Sequence, residues 1–213
     1  MLQNISQLCT IQLGHTARGR LELADHEGVP AVQLRDTRPE GGVFVDAVSH
    51  YRLDPVPERY WVRSGDVLFR SRGEKNTATL LGAEFDGPAV AVMPLVILRS
   101  RQESLDPAYL AWCINQPSAQ RHFDECARGT GIRMIPVGCL GKLAIPVPDL
   151  ATQRAIAEVD QLAAREQSLA TRLADKRRQL TVFTLYERAN RTSSNQNGTN
   201  RAAAPRSGKQ RDK

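Results

Sequence analysis

Leu143-Ala-Ile-Pro-Val-Pro-Asp-Leu150 decides how this chain divides. Pro146 and Pro148 can neither donate to a sheet ladder nor continue a helix, so they stop a short apolar strand and force an extended exit. Asp149 then offers a side-chain oxygen to the free amides of a first helical turn. Beyond it, Ala155, Val159, Leu162, Glu166, Leu169, Leu173, Lys176, Leu180 and Phe183 step by four and three, and all but Glu166 and Lys176 are apolar. That spacing predicts about four heptads of a coiled-coil seam. A helix over 150–187 would span roughly 57 Å, too long to be covered by a domain of this size. It requires a partner helix; the alternative is an amphipathic helix lying on its own domain. Glu166 and Lys176 weaken a parallel zipper but can select register in an antiparallel pair.

The 213 residues leave room for one core of ordinary size and an extension. No apolar run approaches the ~20 residues of a membrane span. The start, MLQNISQLCT, lacks the basic segment and long apolar core of a secretory signal. A cytoplasmic protein without a membrane partner is expected. Residues 1–187 hold 22 basic and 22 acidic side chains, so the net charge of +6 resides in 188–213. Any nucleic-acid site in the domain must therefore come from local grouping of cations. Cys9, Cys113, Cys126 and Cys139 stand too far apart for a CxxC pair, and His15, His26, His50 and His122 add no zinc spacing. Free thiols and no metal are the expectation.

In chain order, residues 5–13 read as a strand ending at Gly14, followed by a polar loop over 15–20. Further strands are expected at 29–34 and 42–48, and residues 51–57 are extended. Residues 59–62 and 67–70 suggest a hairpin about the turn 63–66, where Gly65 can take a positive φ. Strands at 77–81 and 89–98 follow, with Pro94 marking an edge or bulge in the second. Asp106-Pro107 predicts a helix N-cap and first position, with the helix running to about Asn115. A second helix is expected over 117–127, with Leu110, Trp112, Ile114, Phe123 and Cys126 packed inward. A glycine-punctuated loop at 128–134 leads through 135–143 into the strand before the long helix. After 187 the composition turns to Asn, Ser, Thr, Ala, Gly and Arg without an apolar period, and disorder is expected.

Three loops combine arginine with glycine and with amide or hydroxyl side chains: Arg18 and Arg20; Arg70, Arg72, Lys75, Asn76 and Thr77; Arg128, Thr130 and Arg133. Gln33, Arg35 and Arg38 form a fourth group. A DNA reader needs cations for phosphates and forked donors for base edges, and glycines let backbone approach closely. For each arginine alone, the alternative is a solvated or salt-bridged surface residue. No catalytic constellation accompanies them. Asp106-Pro-Ala-Tyr109 lacks the second proline of an amino-methyltransferase motif, Pro148-Asp149 has no following acid-x-lysine partner, and neither a GxSxG nor a P-loop is present.

Gly141-Lys-Leu-Ala-Ile-Pro-Val-Pro-Asp-Leu-Ala-Thr-Gln-Arg-Ala-Ile156 resembles the strand, Pro-x-Pro and Gln-Arg-x-Ile entry to the long helix of type I restriction-modification specificity subunits. Gly65-Asp-Val-Leu-Phe-Arg-Ser-Arg-Gly73 resembles the Gly-Asp-Ile-Leu strand of their target recognition domains. Tyr109-Leu-Ala-Trp112 and Arg128-Gly-Thr-Gly-Ile132 are similar to that domain's late helices and Gly-rich loop. The likeness spans about residues 5–187. It implies an α+β fold: a β-rich target recognition domain with small helices over 1–148, a long coiled-coil helix over 149–188, and a disordered basic tail over 189–213.

Family members carry two such units in tandem with their helices packed antiparallel, whereas this chain has one of each. The resemblance thus implies a homodimer through Val159, Leu162, Leu169, Leu173 and Leu180 that reads two half-sites of an interrupted site in double-stranded DNA. The helices would dock an N6-adenine methyltransferase, which uses S-adenosylmethionine, and a translocase-nuclease subunit can join. This chain would supply the address without catalysis, in restriction or another phage-defence setting. A coiled-coil interaction adapter and a stand-alone dimeric DNA-binding regulator are the alternatives.

Overall fold

The computed structural model describes residues 1–17, 19–24, 27–37, 48–85, 87–128 and 133–190 in full, and the backbone alone over 191–201. The chain divides into two units, Met1–Asp160 and Gln161–Lys213. The strands are β1 (Leu2–Asn4), β2 (Cys9–Leu13), β3 (Val29–Val32), β4 (Ser49–Tyr51), β5 (Trp61–Val62), β6 (Val67–Arg70), β7 (Ala78–Leu80), β8 (Ala89–Ala91), β9 (Leu95–Ser100) and β10 (Ala144–Pro146). The helices are α1 (Ile5–Leu8), α2 (Pro107–Asn115), α3 (Pro117–Cys126), α4 (Val137–Lys142) and α5 (Leu150–Arg201). The expected α+β class, with several sheets and one long helix, is what the chain adopts.

Strand β9 is the centre of the first unit. It pairs antiparallel with β2 on one side and β6 on the other, giving a four-stranded sheet in the order β2-β9-β6-β7. Its run Leu95-Val-Ile-Leu98 is wholly buried, and successive side chains enter different cores. Val96 and Leu98, with Val67 and Phe69 of β6, pack in the cluster that includes Leu110, Ile114 and Phe123 of α2 and α3. Leu95, Ile97 and Leu68 point the other way, against Val62, Ala89 and Ala91 of a second sheet. That sheet has the order β4-β3-β8-β5, with β3 and β8 parallel and the outer pairs antiparallel. A strand covered on both faces needs apolar residues at every position, which is why β6 and β9 lack polar alternation. Burying each such Leu or Phe is worth ~1.5–3 kcal/mol, so this three-layer stack carries most of the unit's stability.

Several expected boundaries change for the same reason. The 89–98 stretch is two strands in two sheets: Pro94 cannot extend a ladder, and the turn closed by Leu95 N donating to Val92 O at 3.1 Å moves the chain between layers. The turn at 63–66 forms, with Asp66 N donating to Arg63 O at 3.0 Å and Gly65 at φ +93°, yet its arms are not a hairpin. β5 pairs with β8, while β6 pairs with β7 and β9. The expected strand over 5–13 begins as helix α1, which turns Ile5 and Leu8 into the core before β2 starts. Helix α4 occupies part of 135–143, where a simple return was expected. The expected strand at 42–48 falls almost entirely outside the described residues.

The thiol expectation is corrected in part. Cys9 and Cys113 are free and buried, but Cys126 of α3 and Cys139 of α4 are joined as a disulfide, with Cα atoms 6.4 Å apart. The contact exists because α4 folds back against α3, a packing that sequence spacing does not reveal.

Helix α2 starts as expected, with Asp106 Oδ1 accepting from Ala108 N at 2.9 Å and Tyr109 N at 3.1 Å. At the start of α5, Asp149 accepts from Thr152 N at 3.0 Å. These two starts are locked together by Gln153, which is fully buried. Its Oε1 accepts from Asp106 N at 2.9 Å, and its Nε2 donates to Ser104 O and Pro148 O, both at 2.8 Å. One buried amide thereby bonds three backbone groups of the junction. Helix α5 continues through Arg201, beyond the end expected near 188. Among the described residues, no helix is long and apolar enough to cross a membrane.

Candidate nucleic-acid interface

The loop after β6 and the segment after α3 come together through the backbone. Gly73 N donates to Arg133 O at 3.1 Å, Ile135 N to Ser71 O at 2.8 Å, and Arg128 and Met134 exchange two bonds of 3.0 Å. Gly73 sits at φ +127°, a conformation that turns the 70–77 loop and that an L side chain rarely adopts. The result is a joint surface on which Arg72, Lys75 and Arg128 are exposed. Thus two loops more than fifty residues apart in sequence carry their cations side by side. Thr130 lies outside the described residues.

The other two groups also converge. Arg20, Gln33 and Arg35 line one concavity of about 440 Å³ together with His15, Tyr51 and Met93. Arg20 and Arg35 are exposed, whereas Gln33 is half-buried. The guanidinium of Arg35 donates to Tyr51 Oη, and its Nε lies 3.7 Å from the Asp36 carboxylate. Asp36 is buried, which raises its carboxyl above the usual carboxylate range; the Gln33 amide and Arg35 act in the opposite direction. Arg18 and Arg38 lie outside the described residues.

Backbone bonds also tie together the loops that carry the two groups. Met93 N donates to His15 O at 3.0 Å, and Ser71 N to Pro94 O at 3.3 Å, so the rim of the concavity runs into the 70–77 loop. Gly14 makes the junction possible. A Cβ there would lie 2.8 Å from Val92 C and 2.9 Å from both Ala91 O and Leu95 O, distances that real side chains do not reach.

Four of the expected contact residues also make bonds within the domain. Arg70 Nη1 donates to Leu34 O at 2.9 Å, Thr37 O at 2.7 Å and Thr37 Oγ1 at 2.6 Å, so its charge braces the 34–37 turn against β6. Asn76 is buried; its Nδ2 donates to Arg70 O at 2.9 Å and its backbone O accepts from Gln120 Nε2 at 3.0 Å. Thr77 is half-buried and accepts the Arg70 amide through its carbonyl. Arg133 pairs with Asp124. These four hold the loops in shape, while Arg20, Arg35, Arg72, Lys75 and Arg128 present charge to solvent. Sequence reasoning missed His15 and Tyr51, which line the concavity; the only local signal was the glycine before His15.

The second unit presents a different surface. Val159, at the end of the first unit, is 67% exposed, and within the second unit Leu162, Leu169, Leu173 and Leu180 are 59%, 53%, 52% and 65% exposed. Val182, Phe183, Leu185 and Tyr186 are also more than half exposed, so apolar groups near 180–186 extend beyond a single seam.

No family model and no curated protein matches the chain. Solved structures do. A chain from a structural study of complex assembly and conformational transition of the type I restriction-modification system aligns with 79% of this chain and 39% of its own length, with TM-score 0.58 and 20% identity. The type I restriction-modification S subunit from M. genitalium covers 80% of this chain and 41% of its own, with TM-score 0.54 and 18% identity. The HsdS subunit from Thermoanaerobacter tengcongensis covers 79% and 39%, with TM-score 0.55 and 18% identity. The chain therefore has the fold of type I specificity subunits, over about 40% of the length of the three it is matched with.

Proposed function

We propose that this chain is a DNA-addressing subunit that brings a partner N6-adenine methyltransferase to an interrupted site. The observation that carries the reading is the set of exposed cations Arg20, Arg35, Arg72, Lys75 and Arg128, mounted on loops that backbone bonds tie together. Cations on glycine-supported loops suit phosphate contact, and arginine's fork suits guanine edges in a major groove. The likeness in fold to specificity subunits supports the same assignment.

Two copies pair through Val159, Leu162, Leu169, Leu173 and Leu180, which gives a two-fold arrangement with two half-sites. The additional apolar groups Val182, Leu185 and Tyr186 are suited to the methyltransferase, and a translocase-nuclease joins the assembly where restriction is required. The adenine flip and the use of S-adenosylmethionine belong to the partner. Charge balance over 1–187 favours the adapter alternative, in which the domain has no DNA affinity.

Mapping methylated adenines across the genome, with this chain present and deleted, tests the assignment. Loss of one interrupted motif on deletion supports an addressing subunit. An unchanged map with salt-insensitive DNA binding favours the adapter. Tight operator binding by the chain alone favours a regulator.

A further inference from the structure

Outside the surface just described, one cluster of side chains has a chemistry of its own. His122 and Cys126 lie four residues apart on α3 and so share a face, and Cys139 of α4 meets that face. The ligand atoms of the three residues all lie within 4.8 Å of one another. His122 Nε2 is 3.6 Å from Cys139 Sγ and 2.9 Å from Cys139 O. Cys139 is buried, while His122 and Cys126 are half-buried, so the cluster is anchored on one side and accessible on the other.

We infer that the reduced Cys126–Cys139 pair, together with His122, is a binding site for a thiophilic divalent cation of the Zn²⁺ class. Two thiolates and one imidazole are a soft donor set that such an ion accepts at ~2.3 Å from sulfur and ~2.0–2.1 Å from nitrogen. Donors around one ion then stand at most about 4.6 Å apart, close to the 4.8 Å within which these three already lie. The half-buried side leaves the fourth tetrahedral position to water or to a partner's side chain.

The two sulfurs are bonded to each other in this structure, so the site forms after a two-electron reduction. A phosphine or dithiol reductant breaks the S–S bond, is itself oxidised, and leaves two thiols. Each thiol loses its proton on ligation, and two protons are released per ion bound.

The location gives the ion a task. Cys126 and Cys139 are 13 residues apart in sequence and close the ends of the segment that carries Arg128 and Arg133. An ion held there fixes the base of that segment as a covalent cross-link does, and it can be exchanged.

The test uses the full chain, reduced anaerobically with a phosphine and titrated with Co²⁺. One equivalent should give a tetrahedral visible spectrum with a thiolate-to-cobalt charge-transfer band, displaced stoichiometrically by Zn²⁺. Cys126→Ser and Cys139→Ser should each remove at least half of the charge-transfer intensity, and His122→Asn should weaken binding tenfold or more. Cys9→Ala should leave the spectrum unchanged. Should a variant fail to fold, protection of Cys126 and Cys139 from alkylation by added Zn²⁺ in the unmodified chain reads the same site. Absence of a charge-transfer band in the reduced protein overturns the proposal. So does an intact mass that stays two hydrogens light under reductant, or alkylation of Cys126 and Cys139 at the same rate with and without Zn²⁺.

Discussion

Among the described residues up to 157, most large apolar side chains are buried, whereas α5 leaves a repeated row of them exposed. In the first region, β6 and β9 are covered on both faces, and the amide of Gln153 bonds three backbone groups where α5 begins. In the second, a 3-4 repeat of leucines meets no described neighbour. A helix of this composition gains little stability from local propensity and depends on packing its apolar stripe. The contrast separates a part that covers most of its own apolar surface from a helix whose apolar row stays exposed.

The largest expected effect comes from charging the seam. Leu169→Asp with Leu173→Asp should halve the solution mass seen by light scattering and leave the domain's unfolding transition in place. An unchanged mass would break the pairing idea, and loss of the domain transition would break the claim that the two regions are independent.

Next in size is Gln153→Leu, which removes the side-chain partner of Asp106 N, Ser104 O and Pro148 O. A loss of about 3 kcal/mol in denaturant unfolding is expected, since three hydrogen bonds of ~1 kcal/mol each are removed. A loss under half that would mean that solvent reaches the junction.

Arginines divide along the same line. Arg70→Gln removes three hydrogen bonds to the 34–37 turn and should cost about 2 kcal/mol of stability. Replacing Arg72, Lys75 and Arg128 with Gln should leave unfolding unchanged and flatten the salt dependence of DNA binding by about 2.7 in log–log slope. If the two sets behaved alike, the distinction between bracing and presenting cations would be wrong.

Titration gives the finest comparison. Burial pushes the Cys9 thiol up to about 12 and the Cys113 thiol up to about 11, so both should resist alkylation at pH 8 until the domain unfolds. Asp149 is exposed, and the bonds it accepts from Thr152 hold its carboxyl below the usual range. Its contribution to the start of α5 is therefore present above the ordinary carboxylate pKa and is lost as pH falls through the folded value. A small decrease in helicity on acidification, absent in Asp149→Asn, checks the sign.

The amino-acid sequence by itself determined the strand stop at Pro146 and Pro148, the capped starts at Asp106 and Asp149, and the repeating apolar row of α5; the two units divide later, between Asp160 and Gln161. Each depends on residues within a few positions of one another, where backbone chemistry and helical periodicity act directly. It also marked the loops that hold the exposed cations. Which of those cations face solvent was decided only in three dimensions. Arg70 and Arg72 are two residues apart and look equivalent, yet one is used by a turn more than thirty residues away. The assignment of β5 and β6 to different sheets, the break at Pro94 and the meeting of His122, Cys126 and Cys139 belong to the same class. Continuous apolar runs do not say which layer covers which face, and α4's return over α3 is a packing event with no local signature.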